Sequence, residues 1–312
     1  MPKYETKDLR NLAFIGHGDS GKTSLAEAVL FKTKAVNRLG SVADGTSMLD
    51  FDPEEKVHKF SIDLGGAFCR YKNVELNLLD APGYPDFVGE AFAGCAATDT
   101  GVLCVNASAG VMVNTRKMWM AAQKAGISVV IAVNKVDLDN IEWDALVQVI
   151  RESFGSQCIP VTLPIEPGPK LKDVVSVLNP DACPEALRDA ARSWREKLVE
   201  AAVEIDEAMM EKYLNEGSIP DAAFESLLPR AIAQGKVVPV VATTVRLDKG
   251  IELFLDFVAK YLPSPDKRLA KAGKNLKGDA DVTLPVAESA PFSAQVFKVT
   301  SDPFVGRVSY FR

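Results

Sequence analysis

The sequence predicts an α/β fold: a mostly parallel sheet with helices on both faces, interrupted late by a mainly helical insertion. Three observations carry this. Strand-length apolar runs alternate with helical patterns at residues 11–15, 22–35, 66–71, 74–79, 88–97, 101–106, 113–125, 129–134 and 140–154, and again at 237–242 and 250–261. Such alternation builds βαβ units and hence parallel pairing. A glycine-rich turn joins the first strand to the first helix. Between residues 156 and 236 the pattern changes. A short apolar segment, 159–165, leads to a Pro/Gly/Lys loop, a long helical stretch from 184 to about 214, and a second helix over 220–234. The stripe Trp194, Leu198, Ile205 reads as core packing, and Glu196, Glu200, Glu204, Glu207 and Glu211 as a solvated face.

Taken in chain order, the first strand (11–15, NLAFI) ends at Gly16-His17-Gly18-Asp19-Ser20-Gly21-Lys22-Thr23-Ser24, and an amphipathic helix follows. This is the G-x-x-x-x-G-K-[ST] spacing in its proper strand–helix context. The glycines let successive N–H groups turn inward around a phosphate, and the helix N-terminus adds partial positive charge. Lys22 can reach terminal phosphates, and the Thr23 hydroxyl can ligate Mg²⁺. His17 reads more as a residue shaping the turn than as a phosphate contact. Asp19 either caps the loop's amides or meets a monovalent cation. The strand 76–79 ends at Asp80-Ala81-Pro82-Gly83. There Asp80 can hold a water on Mg²⁺, and the Gly83 N–H can face a γ-phosphate. D-x-P-G alone also describes many ordinary turns.

The β-branched run 129–133 leads into Asn134-Lys135-Val136-Asp137. A carboxylate at that place can accept both N1–H and N2–H of guanine, a pair adenine does not offer, and Lys135 can lay its stem over the base. Each motif has a bland alternative as a turn. Three in this order make GTP and GDP, with Mg²⁺, the expected ligands.

On these residues the chain resembles the translational GTPases, and among them elongation factor G. The P-loop GTPase fold is implied, and the resemblance runs to the last residue. Asp80-Ala-Pro-Gly-Tyr-Pro-Asp-Phe87 is similar to that family's D-T-P-G-H-V-D-F. Residues 40–62 match its switch I in length, with Asp44-Gly45 and Asp50-Phe51 in register. Val238-Pro-Val-Val-Ala-Thr-Thr-Val245 stands where it has V-P-V-x-x-G-S-A, so Thr244 and the Val245 backbone join the expected guanine site. Leu262-Pro-Ser-Pro265 matches the L-P-S-P closing the GTP-binding domain, and residues 300–307 match the opening of a β-barrel domain. The implied organisation is a GTP-binding domain over 1–262 with 156–236 inserted, a linker over 263–290 holding Lys267, Arg268, Lys271, Lys274 and Lys277, and the first barrel strands over 291–312. A chain cut short early in its second domain is expected. The insertion looks shorter than the family's, whose extra strands are hard to find here.

The resemblance implies a ribosome-stimulated GTPase acting in translation, with ribosomal RNA and stalk proteins as partners. Three departures surround the expected γ-phosphate. Ser61 replaces the switch I Thr that ligates Mg²⁺ and keeps its lone pairs, so Thr23, Ser61 and Asp80 form the expected metal set. Phe60 replaces an apolar-gate Ile, facing Gly18 in place of an aliphatic residue. Tyr84 replaces the catalytic His. A phenol is a poor proton acceptor near neutral pH, yet its hydroxyl can orient water, and Tyr84, Gly83 and Lys22 are the expected catalytic residues. The two rings are expected to fill the room Gly18 leaves. Two alternatives stay open: a GTP-dependent switch that hydrolyses weakly or not at all, and another translational GTPase of the release-factor recycling or ribosomal-protection type.

Composition narrows the remaining classes. The 312 residues carry net charge −6 with a pI near 5.2, which argues against coating DNA or other nucleic acid with the whole surface. Five cysteines without a C-x-x-C and only two histidines, His17 and His58, give no zinc pattern. Cys69 and Cys104 fall in apolar strands and read as buried thiols. MPKYETKDLR has no apolar signal core, and no apolar run nears a membrane span. A cytoplasmic monomer with no membrane partner is expected.

Overall fold

The computed structural model describes residues 4–312 except 269–270, 276–277, 279–280, 288 and 303. The chain runs β1 (Leu9–Gly16), α1 (Lys22–Lys32), α2 (Pro53–His58), β2 (Gly65–Tyr71), β3 (Val74–Asp80), α3 (Val88–Ala97), β4 (Thr100–Asn106), α4 (Val113–Ala125), β5 (Ser128–Asn134), α5 (Trp143–Phe154), β6 (Cys158–Pro160), β7 (Thr162–Ile165) and β8 (Asp173–Ser176). It continues with α6 (Glu185–Val203), α7 (Glu207–Glu216), α8 (Asp221–Ala233), β9 (Val238–Ala242), α9 (Ile251–Tyr261), β10 (Lys271–Lys274), β11 (Asp281–Leu284), β12 (Val296–Asp302) and β13 (Gly306–Phe311). A seven-stranded sheet in the order β2-β3-β1-β4-β5-β9-β6 forms the centre, parallel throughout except for β2 against β3. β4, β5 and β9 are continuous apolar runs rather than alternating ones because helices cover both faces. The order reverses across β1, and the turns after β1, β3 and β5 open at the same carboxyl edge, where α/β sheets bind ligands.

The insertion differs from the sequence reading in three respects. Its expected first residues include β6, which pairs with β9 and so belongs to the main sheet. Strands hard to find in the sequence are present as the antiparallel pair β7–β8, each four residues long. The helix expected from 184 to 214 is two helices. Asp206 stops the first run by capping the second, its carboxylate accepting from the Met209 N–H, and Gly217 ends α7 in a left-handed conformation. Leu198 is buried and Trp194 and Ile205 pack on the core, while the five glutamates are exposed.

The segment expected as a plain linker carries the two-stranded β10–β11 hairpin. Lys277 and the side chain of Lys271 lie outside the described residues. Where the first barrel strands are expected, the chain forms the β12–β13 hairpin. Two strands alone are marginal, and these lean on the domain built around the main sheet. Lys298 pairs with Asp63 at 2.7 Å and donates to the Leu64 carbonyl at 2.7 Å, Arg312 pairs with the buried Asp99, and Phe297 packs on the core. All five cysteines are buried. No helix among the described residues is long and apolar enough to cross a membrane.

Candidate functional site

A cavity of about 700 Å³ opens at the carboxyl edge of the sheet and is walled by pieces of all three motifs. The loop after β1 forms its floor. Gly21 starts α1 at φ 84°, a left-handed conformation, and a Cβ there would collide with the Asn134 side-chain nitrogen. Glycine at this place therefore lets the first and last motifs touch: Asn134 Nδ2 donates to the Ser20 and Gly21 carbonyls at 3.4 Å. Ser20 Oγ and Lys22 Nζ donate to the His17 carbonyl at 2.8 and 3.0 Å, so the backbone of His17, rather than its imidazole, shapes the turn. Burial lowers the Lys22 pKa against the pull of Asp80. Gly18, Asp19, Gly21, Lys22, Thr23 and Ser24 face the cavity, with Gly16, His17 and Ser20 behind them.

Beside the loop, buried hydroxyls and carboxylates form one cluster. Thr23 Oγ1 donates to Asp80 Oδ2 at 2.6 Å and lies 3.1 Å from Ser61 Oγ. Ser61 Oγ donates to Asp50 Oδ1 at 2.7 Å. Burial pushes the Asp80 carboxyl up to about 7, despite Lys22 and the Thr23 hydrogen bond. Asp80 Oδ1 and Asp50 Oδ2 are buried with no hydrogen-bond partner among the described residues. Two unsatisfied buried carboxylate oxygens beside two hydroxyls suit a hard divalent cation, which takes oxygen ligands. The sequence marks Asp50 only by its register in switch I and gives it no role at the metal, because a lone Asp in a polar loop carries no spacing signal.

The resemblance marks switch I by length, and the sequence shows few apolar anchors in it. Leu49 is buried, and the stronger anchors are two carboxylates that the sequence reading also missed. Glu27, fully buried on α1, accepts from Ser47 Oγ and from the Met48 and Leu49 N–H groups at 2.5–3.1 Å. Glu55 on α2 accepts from the Ile62 and Asp63 N–H groups at 2.9 and 3.0 Å and closes a capping box with Asp52.

Ala81 and Pro82 are buried behind the wall and do not face the cavity, whereas Gly83 and Tyr84 do. A Cβ on Gly83 would collide with Lys22 Nζ and stand 2.7 Å from the Gly18 nitrogen, so only glycine fits between them. Asn114 Nδ2 donates to the Gly83 carbonyl at 2.9 Å and holds this turn from α4. The Tyr84 ring lies 4.8 Å from the Phe60 ring. A Cβ on Gly18 would lie 3.4 Å from Tyr84 Cζ. The two rings and the glycine thus occupy one space, and Tyr84 remains 38% exposed.

At the far end Lys135, at φ 65°, donates from Nζ to the Asp19 carbonyl at 2.8 Å, laying its stem along the cavity. Val136 turns away into the core. Asp137, Thr244 and Val245 face the cavity, joined by Arg246, which the sequence reading did not single out. Burial alone would raise the Asp137 pKa. The neighbouring Thr244 hydroxyl and the hydrogen bond from Arg246 outweigh it and hold the carboxyl below its ordinary value.

Comparison with known proteins agrees with this geometry. The family model described as the elongation factor Tu GTP binding domain matches residues 7–264. The crystal structure of ttk003000868 from Thermus thermophilus superposes with a TM-score of 0.83 at 32% identity. The match covers 97% of this chain and 45% of that one, so the present chain spans under half the length of that protein.

Proposed function

The chain belongs to the elongation factor Tu GTP-binding-domain family of translational GTPases, and on that premise we propose a ribosome-stimulated, Mg²⁺-dependent GTPase of the elongation factor G kind. The observation that carries it is the meeting of three motifs on one cavity, with the Thr23–Asp80–Ser61 cluster between the phosphate loop and switch I. Thr23 and Ser61 hydroxyls would hold the metal, with Asp80 and Asp50 behind them. When bound, a divalent ion there neutralises charge on the β- and γ-phosphate oxygens. Lys22 brings a further positive charge to those phosphates, and the Gly83 N–H faces the γ-phosphate. Asp137 accepts from guanine while Lys135, Thr244 and Val245 enclose the base.

Tyr84 takes the place of the general-base-like His of elongation factor G. Seated against Phe60 and Gly18, its hydroxyl orients the attacking water by hydrogen bonding, a positioning role that other GTPases assign to a neutral amide. A second reading, a switch that hydrolyses GTP weakly, is favoured by that same residue, since phenol is a poor acceptor. Isothermal titration tests the shared part. GTP and GDP bind with Mg²⁺ and ATP does not; equal ATP binding would refute the guanine assignment.

A further inference from the structure

Arg246 lies outside the three motifs, yet it touches the carboxylate on which base selection depends. Its Nε donates to Asp137 Oδ2 at 2.5 Å, and its Nη2 reaches the Asp137 backbone oxygen at 3.3 Å. The Asp137 side chain is 2% exposed and that of Arg246 66%. Both line the same end of the cavity, so the arginine meets the carboxylate from the side open to a base. A guanine read through N1–H and N2–H needs both carboxylate oxygens, and Arg246 claims one of them.

The loop that carries Arg246 is built to keep it there. Thr244 and Lys249 pair as an antiparallel bridge, with N–H···O distances of 3.0 and 3.1 Å, closing a tight turn around residues 245–248. Within that turn the Asp248 N–H donates to the Val245 carbonyl at 3.2 Å, and Asp248 pairs with Lys32 of α1 at 2.6 Å. The guanidinium is thus tethered to a fixed stalk, and after it lets go of Asp137 it stays within reach.

We propose that Arg246 is an internal competitor for Asp137, which takes the carboxylate in exchange with guanine and so speeds release of bound nucleotide. The proposal rests on Asp137 being the guanine acceptor. The exchange sets a charge-assisted hydrogen bond against neutral N–H donors. It is favoured by tethering, which gives a linked group an effective concentration in the millimolar range. Because the guanidinium is mostly in solvent, salt weakens its hold. Competition therefore fades with rising ionic strength, which would not follow if Arg246 merely shaped the loop.

Stopped-flow release of a fluorescent GDP analogue tests this in the wild-type chain, Arg246→Ala and Arg246→Gln, which keeps the stem, at low and high salt. We expect release from both variants to be about 10-fold slower than from wild type at low salt, with the difference shrinking at high salt. Equal release rates, or a difference independent of salt, would overturn the proposal. Faster release from the variants would overturn it too, by making Arg246 a group that holds the base. Asp137→Asn, measured alongside, separates the two levels. Unchanged GDP affinity there removes the guanine reading itself, whereas lost affinity there with unchanged release in Arg246→Ala removes only the competitor.

Discussion

At the scale of single residues, the proposed function makes base choice rest on one buried carboxylate, Asp137. A charged, bidentate acceptor is worth about 1.5–3 kcal/mol, so Asp137→Asn should weaken GTP binding by about 10- to 150-fold while improving relative binding of xanthosine nucleotides. Isothermal titration checks both. The space shared by Gly18, Phe60 and Tyr84 makes a packing prediction. A Cβ on Gly18 meets Tyr84 at ordinary contact distance, so Gly18→Ala should leave nucleotide affinity within about 2-fold, whereas Gly18→Ile should displace the ring and lower turnover. The cysteines supply a pH dependence. Burial pushes the Cys95, Cys104 and Cys158 thiols up to about 12 and Cys69 up to about 11. The thiolate is the reactive form, so alkylation of these four cysteines in the folded chain at pH 8 should be at least ~100-fold slower than in the urea-unfolded chain. These folded-state pKa values lie above the unfolded value of ~8.5, so their contribution to stability is intact below it and lost as pH rises from there toward about 12. Among the residues that line or back the cavity, those set in fixed spacings were legible in the sequence as candidates. The roles of Asp50, Glu27 and Arg246 were not. Each is one polar residue whose meaning comes only from a partner outside its own segment: Ser61 for Asp50, Ser47 for Glu27 and Asp137 for Arg246.

At the scale of elements, the strands and helices flanking the motifs were legible because a doubly covered sheet demands long apolar runs and its helices a 3.6-residue period. The insertion was less so. Strands of three or four residues, such as β6, β7 and β8, offer too few positions for a period to emerge. The break between α6 and α7 turns on one capping side chain, Asp206. Switch I is the element whose behaviour matters most. Glu27 and Glu55 pin it at two places by hydrogen bonds to backbone N–H groups, while Met48, Phe51 and Val57 are exposed. Such a segment is held by few polar anchors and opens readily. Hydrogen exchange across residues 36–60 should slow with a GTP analogue and not with GDP, since on the proposed function Ser61 would join the metal only when the γ-phosphate is present. Glu27→Gln should raise exchange at residues 47–49 in either state. Equal exchange with both nucleotides would argue against a switch.

At the scale of the whole molecule, the nucleotide site is joined to the segment beyond the GTP-binding domain by side chains. Ser61 lies close in sequence to Asp63, which pairs with Lys298 on β12, and the Lys298 ammonium also stands 5.3 Å from the Phe51 ring centroid. A movement of switch I would therefore act on the β12–β13 hairpin through Lys298, and Lys298→Ala should loosen that hairpin, seen as faster exchange over residues 296–302. On the proposed function, the cavity hydrolyses GTP under ribosomal control through a rebuilt wall of Phe60 and Tyr84. Single-turnover GTP hydrolysis by the whole gene product, with and without ribosomes, tests it most directly. Wild type should be slow alone and accelerated by ribosomes, and Tyr84→Ala should lose about 10-fold or more of the stimulated rate. Equal stimulated rates in the two proteins would remove Tyr84 from the chemistry, and no stimulation in either would contradict the account in favour of a non-hydrolysing switch.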